Sequence, residues 1–149
     1  MKQTDNFKFD EANVMNELVY RNLSEDEKRQ ICAWKYGGEY DLYNLPSYEE
    51  MQVRQIGFMN PKSEKNYYGF WDESILVGFV NILEEKEEVF IGIGVNPDLC
   101  NKHYGQRMLL IAYEISKKLY PNKPLYLEVR TWNTRAVKCY EKAGFRIDG

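Results

Sequence analysis

Leu127-Glu128-Val129-Arg130-Thr131-Trp132-Asn133-Thr134-Arg135-Ala136-Val137-Lys138-Cys139-Tyr140-Glu141-Lys142-Ala143-Gly144-Phe145 is the stretch on which the reading of this chain turns. Residues 125–130 alternate: Leu125, Leu127 and Val129 share one strand face, and Tyr126, Glu128 and Arg130 share the other. Thr131-Trp132-Asn133 interrupts that period. From Thr134 the spacing becomes helical, with Ala136, Val137, Tyr140 and Ala143 on one side and Gly144 closing the helix. Asn133 stands where a helix N-cap is expected. Phe145 opens another strand through Ile147, so the stretch predicts strand, helix, strand.

Immediately upstream, Met108, Ile111, Ala112, Ile115 and Leu119 recur at helical spacing after Gly105, and Pro121 and Pro124 end that helix. Residues 89–95 form a strand. Val89, Ile91, Ile93 and Val95 lie on one face and Phe90, Gly92 and Gly94 on the other. Two glycines on one face point to a bulge, a close ligand backbone or a large packed side chain. Further strands are predicted over 75–83 and 66–71, with a short one at 18–20. Ser24-Glu25-Asp26-Glu27 reads as a capping box for a helix running to Tyr36, and Ser47-Tyr48-Glu49-Glu50 starts a second helix. Residues 1–13 show no periodicity, and 1–16 are taken as an N-terminal arm. The result is an α+β, or mixed α/β, layer architecture in a single domain, 1–149.

Composition narrows the function. The chain has 149 residues and a formal net charge of −3. That charge argues against an extended nucleic-acid surface. No apolar run is long enough for a membrane span, and the polar N-terminus does not resemble a leader peptide. Three widely spaced cysteines and a single histidine, His103, make neither a disulfide framework nor a metal site with recognisable spacing. A reducing, cytoplasmic setting is expected.

Cys100-Asn101-Lys102-His103-Tyr104-Gly105-Gln106-Arg107 joins a strand to a helix. A helix start offers free N–H groups and a positive dipole end, and Lys102 and Arg107 add charge. Such a turn suits a phosphate or diphosphate. It is neither a Walker loop nor a GxGxxG fingerprint.

The stretch 127–145 closely resembles the C-terminal motif of the GNAT N-acetyltransferase superfamily: strand, Asn133, Ala136, Tyr140, then Gly144-Phe145. Val77-Gly78-Phe79 resembles the family's third strand and residues 90–97 its fourth, and residues 100–105 occupy its pyrophosphate loop. Leu127-Glu128-Val129-Arg130 with Asn133 and Tyr140 is most similar to ribosomal-protein N-terminal acetyltransferases. The Tyr40-Asp41-Leu42-Tyr43 segment also resembles bacterial members of unassigned substrate.

The resemblance implies a GNAT fold, a central, mostly antiparallel mixed sheet flanked by helices. It implies acetyl-CoA as co-substrate, no metal, and an acceptor that is a primary amine of a small molecule or protein. No nucleic acid or membrane partner is implied. Glu128 would be the base and Tyr140 the acid in direct attack. Ile93, Gly94, Val95, Lys102, His103, Gly105, Gln106, Asn133 and Tyr140 would hold the cofactor, with a main-chain N–H near Val95 on the thioester carbonyl. Glu39 and Tyr40 would meet the acceptor. Each also has a plainer role open to it. Glu128 could pair with a neighbouring cation, Tyr140 could be a core side chain, and Asn133 could be only a cap. Two departures from the family stand out. His103 replaces the first loop glycine, where it either crowds the diphosphate or pairs with it. The chain also stops near where the family adds a last strand, so that strand is expected to be absent or supplied by a second chain, with a homodimer as one outcome. A non-catalytic acyl-CoA-binding relative, or a subunit dependent on a partner, stands as the alternative.

Overall fold

The computed structural model describes residues 2–3, 18–100 and 102–146. The predicted capping box at Ser24 is present. The Ser24 hydroxyl accepts from the Glu27 N–H while the Glu27 carboxylate accepts from the Ser24 N–H, starting α1 (Glu25–Cys32). The helix stops at Cys32 and not at Tyr36, because the residues that follow turn inward. Trp34 packs against Phe79, ring centroids 6.3 Å apart. A 3-10 turn (Gly38–Tyr43) then leads to α2 (Tyr48–Arg54), whose cap Ser47 accepts from the Glu50 N–H.

The strands are β1 (Lys2–Gln3), β2 (Val19–Asn22), β3 (Tyr67–Asp72), β4 (Ile75–Glu84), β5 (Val89–Val95), β6 (Leu125–Tyr126) and β7 (Phe145–Arg146). Between them lie α3 (Tyr104–Leu119) and α4 (Thr134–Lys142). They form one mixed sheet in the order β2-β3-β4-β5-β6-β1-β7. Its pairs are antiparallel except β5 with β6, which run parallel. α3 lays Met108, Leu109, Ala112 and Ile115 on one face, against Val77, Val80, Val89 and Ile91. On the other face Ile31, Cys32 and Met51 of α1 and α2 pack with Phe58 and Leu76. β4 is therefore covered on both sides, which explains its nearly continuous apolar run.

Two expectations are corrected here. Only Leu125–Tyr126 of the predicted 125–130 strand joins the ladder, because residues 127–130 diverge from β5. The place beside β6 that the resemblance gives to a final strand is filled by this chain itself. Lys2 pairs with Tyr126 and Arg146, and Gln3 with Phe145. An ion pair between Lys2 and Glu88 adds to the tether. No second chain is needed to cover that side of β6, and Lys2–Gln3 belong to the sheet and not to an arm. The rest of the expected arm, and the Ile147 end of the last strand, lie outside the described residues.

The glycines of the central strands answer a packing need. A Cβ on Gly94 would sit 2.4 Å from the Phe79 ring, and one on Gly78 would sit 2.5 Å from the Gly94 carbonyl oxygen. The second contact is with main chain in mid-sheet, which has little room to yield. Gly78→Ala should therefore destabilise the fold by about 1–3 kcal/mol. The check is a lower urea midpoint with an unchanged slope.

Candidate active site

β5 and β6 pair only at Val89–Leu125 and Phe90–Tyr126, and then part. The gap opens into a cavity of about 900 Å³. Ile93 and Val95 form one wall and residues 128–130 the other; α3's first turn, α4 and the 36–43 loop complete it. Strand geometry decides which main-chain groups face the gap. The Asn96 N–H donates to Val77 on β4 at 2.8 Å, whereas the Val89 N–H donates to Pro124, on the β6 side, at 2.9 Å. Direction alternates along an antiparallel edge. Ile93 and Val95 therefore turn their N–H and C=O groups towards the gap, as Val89 does towards β6. Gly94 turns its own towards β4.

α3 begins beside this wall. Its N-cap, His103, has φ 66° and supplies no side-chain cap, and the first turn carries no acid. That left-handed conformation favours glycine, although His tolerates it better than most residues. The helix start is fixed from two sides. The Tyr104 hydroxyl donates to Asp72 at 2.6 Å. Gly105 lies so near α4 that a Cβ would be 3.2 Å from the Cys139 sulfur. The first-turn N–H groups thus open into the cleft beside His103, Lys138 and Lys142. Uncapped donors, a positive helix end and basic side chains fit a diphosphate. An extended edge of main-chain amides fits the amide-bearing arm that follows it in coenzyme A. Ile93, Val95, His103, Gly105 and Gln106 are the residues that would hold it.

Most of the residues singled out from sequence meet here. Glu128, Tyr140, Ile93, Val95, His103, Gly105, Gln106, Asn133 and Tyr40 all line the cavity. Glu128 is exposed at its edge, and among the described residues none forms an ion pair with it. Tyr140 is half-buried. Burial first, then the neighbouring Cys139, Tyr43 and Tyr36, pushes its hydroxyl far above the ordinary tyrosine value. Three other residues lie away from the lining. Gly94 faces the Phe79 ring, Lys102 is exposed beyond the loop, and Glu39 is on the outer side of the 3-10 turn. Asn101 of the loop lies outside the described residues.

Asn133 makes the expected cap and a second bond that the sequence did not show. Its Oδ1 accepts from the Ala136 N–H at 3.1 Å, capping α4, and its Nδ2 donates to the Tyr43 hydroxyl at 3.0 Å. It is nearly buried and latches the 36–43 loop onto α4. Arg135 adds to that latch by stacking over Tyr40 at 4.3 Å, and Trp132 packs on the same ring. Arg130, Arg135, Lys138 and Cys139 also line the cavity, though sequence reading gave them no role. Their alternation and helical spacing near Glu128 and Tyr140 were the available signal. Burial raises the Cys100 and Cys139 thiols, so both stay protonated at neutral pH.

A strand pair that parts beside a helix start, with a carboxylate and a tyrosine in the gap, is the architecture of a coenzyme-A-dependent acyltransferase. Residues 20–145 match the model of the Acetyltransferase (GNAT) family, and the chain belongs to that family. It is an acetyltransferase, and the family uses acetyl-CoA as co-substrate. Among solved structures it resembles a chimera of the Vibrio cholerae spermidine N-acetyltransferase SpeG and hSSAT. The two are 22% identical, with 89% of this chain and 82% of that one covered and a TM-score of 0.74. The V. cholerae spermidine/spermine N-acetyltransferase SpeG in complex with manganese ions is 21% identical, covering 92% and 81%, with a TM-score of 0.69. An acetyltransferase of the GNAT family from Bacillus anthracis is 17% identical, covering 100% and 86%, with a TM-score of 0.73. At these identities the likeness is one of fold. Among the described residues no cluster of His, Cys, Asp and Glu could hold a metal ion, and no helix is long and apolar enough to cross a membrane.

His103 gives this site its test. Glycine relieves the left-handed cost but brings a larger unfolded-state entropy, so His103→Gly should stabilise the fold by about 0.5–1 kcal/mol. Its acetyl-CoA affinity tells the two roles of the imidazole apart: weaker binding by the variant means that His103 pairs with the diphosphate, and tighter binding that it crowds it. Thermal unfolding and calorimetric titration of the variant read the two effects separately.

Proposed function

We propose that this enzyme transfers the acetyl group of acetyl-CoA directly to a primary amine of a small molecule or protein, with Glu128 as base and Tyr140 as acid. The observation that carries the reading is the placement of the Glu128 carboxylate, the Tyr140 hydroxyl and the gap-facing Val95 edge around one cavity. The amine must first lose a proton, since a lysine-type amine has a pKa of about 10.4 and an α-amine about 7.7–8.0. Glu128 is open to solvent, so it can take that proton directly or through a water. The Val95 N–H is aimed at the cleft, where it can bind the carbonyl oxygen as charge grows there.

The Tyr140 hydroxyl makes no hydrogen bond to a described residue and stays protonated well beyond neutral pH. It therefore holds a proton for the departing thiolate. In a desolvated cleft that thiolate is itself more basic than its usual pKa of about 8.5. The two protonated thiols favour direct attack over an acetyl-cysteine intermediate.

Glu128 is the one carboxylate among the described lining residues, and Arg130 and Arg135 line the same cavity. A polycation would meet those guanidiniums, so the acceptor is proposed to be a monoamine or an α-amine and not spermidine. Self-association is proposed from the dodecameric spermidine N-acetyltransferase of V. cholerae, which is 20% identical, covers 89% of this chain and 81% of that one, and has a TM-score of 0.65. A cytoplasmic site of action is proposed from the free cysteines.

Thiol release from acetyl-CoA across a panel of monoamines, peptide N-termini and spermidine tests the reading. Turnover with a monoamine or α-amine above that with spermidine is expected. Binding of acetyl-CoA without turnover on any amine would favour the non-catalytic alternative. Tyr140→Phe should lower kcat by about 10²-fold while acetyl-CoA affinity holds. In the unmodified enzyme the rate should climb with pH as the amine deprotonates and show no fall by about pH 10, because the raised Tyr140 pKa keeps its proton on. Glu128→Gln should cost most at low pH, where a base is most needed. A wild-type rate for Glu128→Gln across the pH range would remove that assignment.

A further inference from the structure

Tyr36 lies across the cavity from Tyr140, yet its hydroxyl is already committed. It donates to the Val95 carbonyl at 2.6 Å, the end of the strand whose N–H faces the cleft. The peptide that joins Val95 to Asn96 is thus held at both ends, since its N–H donates to Val77 at 2.8 Å. The Asn96 side chain adds a third tie, Nδ2 to the Leu76 carbonyl at 3.1 Å. Tyr36 is itself fixed, because its own N–H donates to Asn44 Oδ1 at 2.7 Å and closes the 36–44 loop.

We infer that Tyr36 is a positioning residue for acetyl transfer. Its hydroxyl pins and covers the Val95 carbonyl, so that the Val95 N–H alone addresses the thioester oxygen. Two physical consequences follow from the geometry. An uncovered carbonyl in this partly dry gap would present a negative dipole end beside the place where negative charge grows. Held only from the Val77 and Leu76 side, the Val95–Asn96 peptide could tilt at its carbonyl end and carry the Val95 N–H off its line. Hydrogen bonds in series, hydroxyl to carbonyl and onward through the peptide N–H to Val77, also polarise one another. Burial pushes the Tyr36 hydroxyl far above its ordinary value, so the proton stays in this bond. The role is thus separate from that of an acid. The loop that anchors Tyr36 is also latched to α4, through Tyr43 and Asn133.

The inference rests on the acetyl-transfer reading, and its test is built to separate the two. Tyr36→Phe keeps the ring and removes the donor. It should lower kcat about 10- to 100-fold, the loss expected from an unsatisfied carbonyl beside a developing charge. Acetyl-CoA affinity should hold within about twofold, and the pH limbs should not move. Replacing Tyr36 with 4-aminophenylalanine restores an N–H donor of negligible acidity and should restore the rate. This second protein also tests the idea should Tyr36→Phe fail to fold.

The direct readout is the infrared carbonyl band of 13C-labelled acetyl-CoA bound without acceptor. The band should lie below its free position in the native enzyme and in the aminophenylalanine protein, and move back towards it in Tyr36→Phe. An unmoved band with an unchanged rate in Tyr36→Phe would overturn the inference. So would failure of the aminophenylalanine protein to regain the rate, which would make Tyr36 an acid, or a rate loss that merely follows lowered thermal stability. If no amine is acetylated but the band behaves as described, the transfer reading fails, and what stands is that Tyr36 sets the Val95 N–H on the thioester carbonyl.

Discussion

The structure depends on where two parallel strands stop being paired. β5 and β6 share a ladder for two residue pairs, Val89–Leu125 and Phe90–Tyr126, and the cavity opens in the gap beyond. Main-chain N–H and C=O groups are costly to leave without partners inside a protein. A strand that parts from its neighbour therefore demands a replacement partner. At the Val95 carbonyl the replacement is the Tyr36 hydroxyl. For the N–H groups facing the gap, a ligand with carbonyl acceptors along an extended arm would meet the same demand, which is why we propose this open sheet edge as the place of the cofactor.

The rest of the fold holds this opening at a fixed width. α3 packs its apolar face across β4 and β5, and its start is pinned by the Tyr104–Asp72 hydrogen bond and by the contact of Gly105 with Cys139. On the far side of β6, Lys2–Gln3 complete the sheet. β6 is thus supported from the side away from the cleft while its continuation, 127–130, is released on the cleft side. Leu127 remains buried in the core and Glu128, the next residue, is exposed at the cavity's edge. That alternation of burial brings a carboxylate to the edge of the cavity without burying its charge.

Much of this was legible in the sequence, because it follows from local rules. The capping box at Ser24, the Ser47 cap, the strand 89–95 and the Asn133 cap are all set by neighbours within a few residues. The family motif singled out Glu128 and Tyr140 together, and both line the one cavity. What stayed hidden depends on distant parts of the chain. The parting of the strands after Tyr126 has no mark in the alternation of 125–130, which runs on unbroken. Lys2–Gln3 are too short to show any period. Asn133 reaches Tyr43 across ninety positions, so its second bond had no local signal. Gly94 looked like a place for a ligand, but the Phe79 ring occupies it, a contact set by the register of β4 against β5. Glu39 and Lys102 carry suitable charges on loops whose outward course no spacing rule reports.

The central claim is that the opening between β5 and β6 receives the coenzyme A thioester, with its diphosphate at the start of α3. Calorimetric titration of the purified protein with acetyl-CoA, with unrelated nucleotides as controls, tests it most directly. The account predicts saturable one-site binding in the micromolar range that weakens as salt screens the basic side chains around the diphosphate. Absence of acetyl-CoA binding, or equal binding of unrelated nucleotides, would contradict it.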